Sequence, residues 1–352
     1  MEFIYSFPGV KGVQANKEYF ITMIPLKHLV KILPEPTEYV PPEYRAQRKL
    51  NETRIPEMKE YIIDNRDTYI FSSLTASIDG DYDFIEMPEG SNVGILKVSM
   101  DAKLLINDGQ HRRAAIAQAL LEDNTLGDET ISVVFFEDRG LEKSQQMFTD
   151  LNMNAQRSSN SINTCYETRN PLAVLTKKIV SENEFLRKYT DLERDNLGKN
   201  SSKLFSLYTI YRINHKIVRS EEITKEDEKF LREFWENIVN NIPEWNELEN
   251  RTMTKKELRE NYVTTLGVTL LSFSRIGAWL YDDKTRSVVN TLAKLQNVDW
   301  SRTNRKWLKR MIREDGKVVN NENAIILAGN YIKKQLNIPL SRDEENREKA
   351  IR

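Results

Sequence analysis

The sequence predicts an α+β fold in two parts, and two observations carry the prediction. Through the first 160 residues, short β-branched and aromatic runs alternate with stretches of helical periodicity. Beyond a polar stretch ending at Thr164, apolar residues recur almost throughout at helical spacing. A mixed α/β domain over residues 1–160 and an all-helical domain over residues 161–352 satisfy both, with the boundary at Ser158 to Thr164.

The elements follow in order. Lys17 to Met23 (KEYFITM) has strand content, and Pro25 to Leu33 reads as a short helix. Pro34, Pro36, Pro41 and Pro42 mark a loop. Ile55 to Asn65 reads as a helix, with Pro56 tolerated in its first turn. Tyr69 to Ile78 is a strand closed by the turn Asp79-Gly80-Asp81, and Gly94 to Val98 and Lys103 to Ile106 are two more. A helix runs from Gln110 to Glu122, Thr130 to Phe136 is a strand, and Leu141 to Leu151 is helical. Asn152 to Thr164 (NMNAQRSSNSINT) is then expected as a polar loop. Helices are predicted over Pro171 to Tyr189, Ser201 to Arg219, Lys225 to Asn240, Lys255 to Tyr281 and Thr285 to Gln296.

Composition narrows the function. The 352 residues carry 52 Lys+Arg against 53 Asp+Glu, a net charge of -1, so no diffuse basic excess draws the chain to phosphate. Any such attraction must be local. The lone Cys165 cannot close an internal disulfide, which fits a reducing, cytoplasmic setting. One cysteine beside the scattered His28, His111 and His215 gives no zinc spacing, and no metal site is assigned. Residues 1–9 lack the features of a secretory peptide, and no uncharged apolar run reaches the roughly 20 residues that a membrane span needs. The neutral total also hides a partition. Glu221 to Asn250 holds ten acidic and three basic residues, and Arg251 to Arg313 holds fourteen basic and five acidic.

The sharpest local feature is LLINDGQHRRAAIAQAL, in which a strand meets Asp108-Gly109 and an Ala-rich helix begins at once. Gly109 can adopt backbone conformations closed to other residues, and Asp108 is placed to cap the helix. The helix N-terminus, with Arg112 and Arg113 in its first turn, is the chemistry that attracts phosphate. Gln110 and His111 could recognise a base or sugar, or hold a reacting water. The bland alternative is a capped helix whose arginines pair with surface carboxylates. A second polar cluster, Asp150, Asn152, Asn154, Gln156, Arg157 and Ser158, could complete a nucleotide site if it folds beside the first. Of these, Asn152, Asn154, Arg157 and Ser158 join Gly109, Gln110, Arg112 and Arg113 as candidate nucleotide- or phosphate-binding residues.

SRTNRKWLKRMIR, from Ser301 to Arg313, is the other strong feature. At about 100° per residue, Arg302, Arg305, Lys306, Lys309, Arg310 and Arg313 share an arc of about 140°. Trp307, Leu308, Met311 and Ile312 take the opposite arc. A basic amphipathic helix follows, suited to DNA phosphates, to docking on the acidic stretch before it, or to an anionic membrane. No helix-turn-helix pattern accompanies it, so no base readout is assigned.

NDGQHRR carries the DGQHR signature of the ParB/sulfiredoxin-like superfamily, in which this turn faces a nucleotide or phosphate. Tyr44-Arg45-Ala46-Gln47-Arg48, Arg54-Ile55-Pro56, SSLTASIDG, LINDGQHRRAAI, ETISVVFF and SQQMFTDLN extend the likeness. The chain resembles the DndB family of bacterial DNA sulfur modification systems, over the first half specifically and over the helical half more loosely. The resemblance implies a ParB/sulfiredoxin-like first domain and a DNA-binding repressor of a phosphorothioation operon. Its implied partners are double-stranded promoter DNA and other proteins of the system, with a homodimer suited to symmetric sites. The alternative is a nucleotide hydrolase or nicking enzyme. There His111 or Asp108 would orient a water, and ATP or another nucleotide with Mg²⁺ would be the cofactor. No Walker A sequence is present, so that chemistry would not be of the P-loop kind.

Overall fold

The computed structural model describes residues 4–33, 53–137, 158–198, 201–220 and 222–351. The chain forms two compact units, residues 1–156 and 157–352.

The first unit is a seven-stranded mixed sheet with helices on one face. Its strands are β1 (Ile4–Gln14), β2 (Lys17–Pro25), β3 (Leu74–Asp79), β4 (Tyr82–Glu86), β5 (Val93–Ser99), β6 (Lys103–Asp108) and β7 (Thr130–Glu137), in the order β4-β5-β1-β2-β7-β3-β6. Only β3 and β7 run parallel; the other neighbours are antiparallel. Strand alternation sends Phe20, Ile24, Leu74, Ala76, Ile78, Val133 and Phe135 to the helical face. There α1 (Leu26–Ile32), α2 (Arg54–Asp64) and α3 (Gln110–Glu122) close the core with Leu29, Ile62 and Ala115. Ala114, Ala115 and Ala119 are all buried, and their small side chains let α3 lie close on its neighbours.

Two strands of this unit, β1 and β4, have no counterpart in the sequence reading. β1 carries Pro8, Gly9 and Gly12, which read as turn formers, yet it pairs with β2 on one side and β5 on the other. Gly9 is needed there for close approach, because a Cβ would stand 2.8 Å from the Ile21 carbonyl oxygen. The strand expected from Tyr69 begins only at Leu74.

The second unit is helical, with helices α4 (Asn160–Tyr166), α5 (Pro171–Glu182), α6 (Glu184–Tyr189), α7 (Leu207–Val218) and α8 (Lys225–Asn240). Then come α9 (Pro243–Glu249), α10 (Lys255–Asn261), α11 (Gly267–Tyr281), α12 (Val288–Leu292), α13 (Glu322–Gln335) and α14 (Arg342–Lys349). A two-strand parallel pair, β8 (Thr190–Asp191) and β9 (Phe205–Ser206), joins them. One apolar core unites Phe185, Trp235, Trp245, Phe273, Trp300 and Trp307 with the aliphatic faces of the helices. The polar loop expected up to Thr164 ends earlier, because Asn160–Tyr166 is helical. Ser159 caps that helix, and the Asp195 carboxylate accepts from the N–H groups of Asn160 and Ser161. The helix expected over Lys255 to Tyr281 is two helices, α10 and α11, separated at Tyr262–Leu266.

The basic helix expected from Ser301 to Arg313 does not form. The segment holds one 3₁₀ turn, Arg305–Trp307, and Lys309 sits in the left-handed region at φ 59°. Trp307 explains the departure. Its ring is fully buried, stacks on Trp300 at 6.0 Å and meets Tyr331 edge-on at 4.6 Å. The Trp307 carbonyl oxygen accepts from the N–H groups of Arg310, Met311 and Ile312, while Lys309 N–H donates to Ile312 O. The chain thus folds back on itself to bury Trp307 and Met311, and continues into a short hairpin turned at Gly316 (φ 78°).

Candidate functional sites

The turn Asp108-Gly109 ends β6 and starts α3, as the sequence implies. Its details differ. Gly109, at φ 101°, is the N-cap residue, and no side chain caps the helix. A Cβ there would lie 2.0 Å from Leu74 Cδ2, so glycine is required both by conformation and by space. Asp108 is not the cap; its carboxylate accepts from Arg112 Nη2 at 2.5 Å.

The two arginines face inward. Arg112, its side chain 14% exposed, donates from Nη1 to Ser72 O at 2.6 Å, Ser72 Oγ at 2.6 Å and Ser73 O at 2.8 Å. It staples the segment leading into β3 to the turn. Arg113 is buried, with Nε donating to Leu33 O and Nη2 to Val30 O, each at 2.7 Å. Those carbonyls belong to the last turn of α1 and the residue after it, where a helix leaves acceptors unpaired and its dipole favours a cation. Arg113, expected at a phosphate, here caps the C-terminal end of α1. Gln110 Nε2 donates to Ile106 O at 3.2 Å. His111 is half-buried.

A nucleotide phosphate is poorly matched by this arrangement. The planar donor forks that would grip it are committed to the protein's own carbonyls and to Asp108. The turn retains the uncapped N-terminus of α3 and Asn107, which is fully buried with neither amide atom hydrogen-bonded to a described residue. The Asp108 carboxylate, the group expected to orient a water beside His111, is paired to Arg112. Asn152, Asn154 and Arg157 lie outside the described residues, as do the Tyr44 to Arg48 motif and the Leu141 to Leu151 helix. Ser158 belongs to the second unit, where Oγ donates to Asn163 Oδ1 at 2.6 Å.

The second candidate is the basic segment after Trp300. Its six cations separate into two classes. Arg302 is half-buried and donates from Nε to Tyr262 O at 3.2 Å, and burial lowers its pKa. Arg310 donates from Nη2 to Glu348 at 2.6 Å and from Nη1 to Lys306 O at 2.9 Å. Its carboxylate partner lies on α14, not in the acidic stretch Glu221 to Asn250. Within that stretch, Glu228 pairs with Lys178 and Arg232, and Glu249 with Lys188. Arg305, Lys306, Lys309 and Arg313 are exposed and make no ion pair with any described residue. Sequence periodicity found these residues but assigned them the wrong backbone. The signal available for the backbone was Trp307 itself, too large for a solvated ridge.

Among the described residues, no group of three or more His, Cys, Asp or Glu side chains is arranged to hold a metal ion, and no helix is long and apolar enough to cross a membrane.

One family model, DndB, described as DNA-sulfur modification-associated, matches residues 7–339, a span that includes the DGQHR turn. The chain belongs to the DndB family. The match spans both units, so the helical half is part of the family's common body and not an appendage. No curated protein and no solved structure matches the chain. Membership places the protein in DNA sulfur modification.

Proposed function

We propose that the protein is a DNA-binding regulator, a repressor of a DNA phosphorothioation operon, and that the second unit supplies its DNA contacts. The observation that supports this is the set Arg305, Lys306, Lys309 and Arg313. Four exposed cations lie within nine residues, unpaired among the described residues, on a segment anchored by a fully buried tryptophan. Like charges so placed repel one another, and a polyanion relieves that repulsion. Anchoring matters because a rigid cation loses less entropy on binding than a mobile one. Other proteins of the modification system are further partners under this reading, and a homodimer would suit a symmetric operator.

The test is a gel shift of duplex from the modification operon's promoter across a salt series. Neutralising all four residues to alanine is expected to weaken binding at least tenfold. It should also lower the slope of log affinity against log salt by up to about 3.6, at about 0.9 per phosphate contact. Unchanged affinity and slope would remove this segment from the interface.

A further inference from the structure

A cavity of about 550 Å³ opens beside the basic segment, lined by Lys309, Asn323, Leu327, Arg347, Ala350 and Ile351. Three separate parts of the fold converge on it. Asn323 and Leu327 stand four residues apart on one face of α13, Arg347 projects from α14, and Lys309 comes from the loop after Trp307. The lining includes two cations and no carboxylate. Arg347 is held in a fixed orientation, with Nε donating to Asp343 Oδ2 at 2.9 Å and Nη1 donating to Asn323 Oδ1 at 2.9 Å. Asp343 balances the Arg347 charge, so Lys309 leaves the cavity one net positive charge. That equals the single negative charge of a phosphodiester.

The other wall is apolar. Leu327 is buried, and Ala350 and Ile351 complete that side. An ordinary phosphate oxygen turned toward such a wall would lose its water without gaining a hydrogen bond. Sulfur in place of that oxygen keeps the charge but is larger, more weakly hydrated and a poorer acceptor, so the same wall favours it. Lys309 adds a second argument. A side-chain-bearing residue at φ 59° is strained relative to a glycine in the same place. Structure alone would be served better by glycine, and what lysine adds is its ammonium at the rim of the cavity.

We infer that this cavity seats one phosphoryl group of the DNA backbone and favours a phosphorothioate over a phosphate. The inference rests on the DNA-binding reading above and deepens it, because a regulator that distinguishes sulfur-bearing DNA would report on the product of its own system.

Fluorescence anisotropy of the full chain tests it with two kinds of duplex of one sequence. One kind carries phosphorothioate links, prepared in each of the two phosphorus configurations, and the other is unmodified. The sulfur-bearing duplex in one configuration is expected to bind about fourfold tighter, the factor belonging to one buried methylene's worth of apolar contact, about 0.8 kcal/mol. Ile351→Ser, a change at a half-buried wall position, should bring the ratio to unity. Lys309→Gly should weaken both duplexes about fivefold without lowering the unfolding temperature, since glycine relaxes the backbone. Equal affinity of wild type for both duplexes would overturn the inference while leaving DNA binding intact, and so would full retention of binding by Lys309→Gly. If neither duplex binds, the DNA-binding reading itself fails.

Discussion

Arg113 shows how an arginine can be legible as a residue and misread as a role. Its place in the first turn of a helix after Asp-Gly is where an anion-binding arginine belongs, and sequence cannot show which side of the helix is buried. The structure turns it toward Leu33 O and Val30 O, 80 residues and more away in sequence. Hydrogen bonds from a charged donor to buried carbonyls are worth about 1.5–3 kcal/mol, and removing the donor leaves acceptors unsatisfied. Arg113→Met is therefore expected to lower the stability of the first unit by about 2–4 kcal/mol, with Arg113→Lys recovering only part, because an ammonium cannot reproduce the two-pronged geometry. Thermal unfolding of the full chain measures this. A loss of DNA affinity with unchanged unfolding would instead assign Arg113 to a ligand. Gly109, in contrast, was legible as a residue the turn requires, and the structure supplies the reason in Leu74; Arg112, read as a phosphate donor, instead donates to Ser72, Ser73 and Asp108.

At the scale of elements, most of the α/β unit was legible. β2, α1, α2, β5, β6, α3 and β7 lie where alternation, proline placement and the Asp-Gly turn put them. β1 was not, because glycine marks both turns and close backbone approach, and only the register with β2 decides between them. The segment Ser301 to Arg313 failed for a different reason. Its charges and apolar residues fit a helical wheel, but a wheel treats Trp307 as one apolar position among four. In the fold, Trp307 is a plug between Trp300 and Tyr331, and the backbone bends to serve it. A large-to-small change in a core costs about 3–5 kcal/mol for tryptophan. Trp307→Ala should therefore destabilise the second unit by about that amount and weaken DNA binding although no cation is removed. Trp307→Phe should keep both within a few-fold, since the buried Trp307 Nε1 makes no hydrogen bond to a described residue. Chemical denaturation and the promoter gel shift, run on the same two variants, check the pair of outcomes.

For the molecule as a whole, net charge says little and two buried carboxylates of opposite behaviour say more. Burial opposes ionisation of Glu344, but Lys333, the Ser341 N–H and Arg275 all donate to it and hold its pKa down to about 2. Glu244 is buried with Oε2 unpaired among the described residues, and burial, reinforced by Glu247 and Asp299, pushes its pKa up to about 7. The two signs differ. For Glu344 the unfolded chain binds the extra proton, so its stabilisation is present above about 4.5 and is lost as pH falls toward 2. For Glu244 the folded chain binds the extra proton, so stability is lost as pH rises from about 4.5 to about 7 and stays lost above that. Each shift corresponds to roughly 3 kcal/mol. Taken together, these two carboxylates contribute most to the stability of the second unit near pH 4.5–5. Thermal unfolding from pH 2 to 8 should show Glu244→Gln raising the unfolding temperature at pH 8 and leaving it unchanged at pH 4. Glu344→Gln should lower it at pH 7 and converge on wild type near pH 2. A Glu244→Gln effect of equal size at both pH values would mean that the side chain's packing, and not its charge, sets the balance.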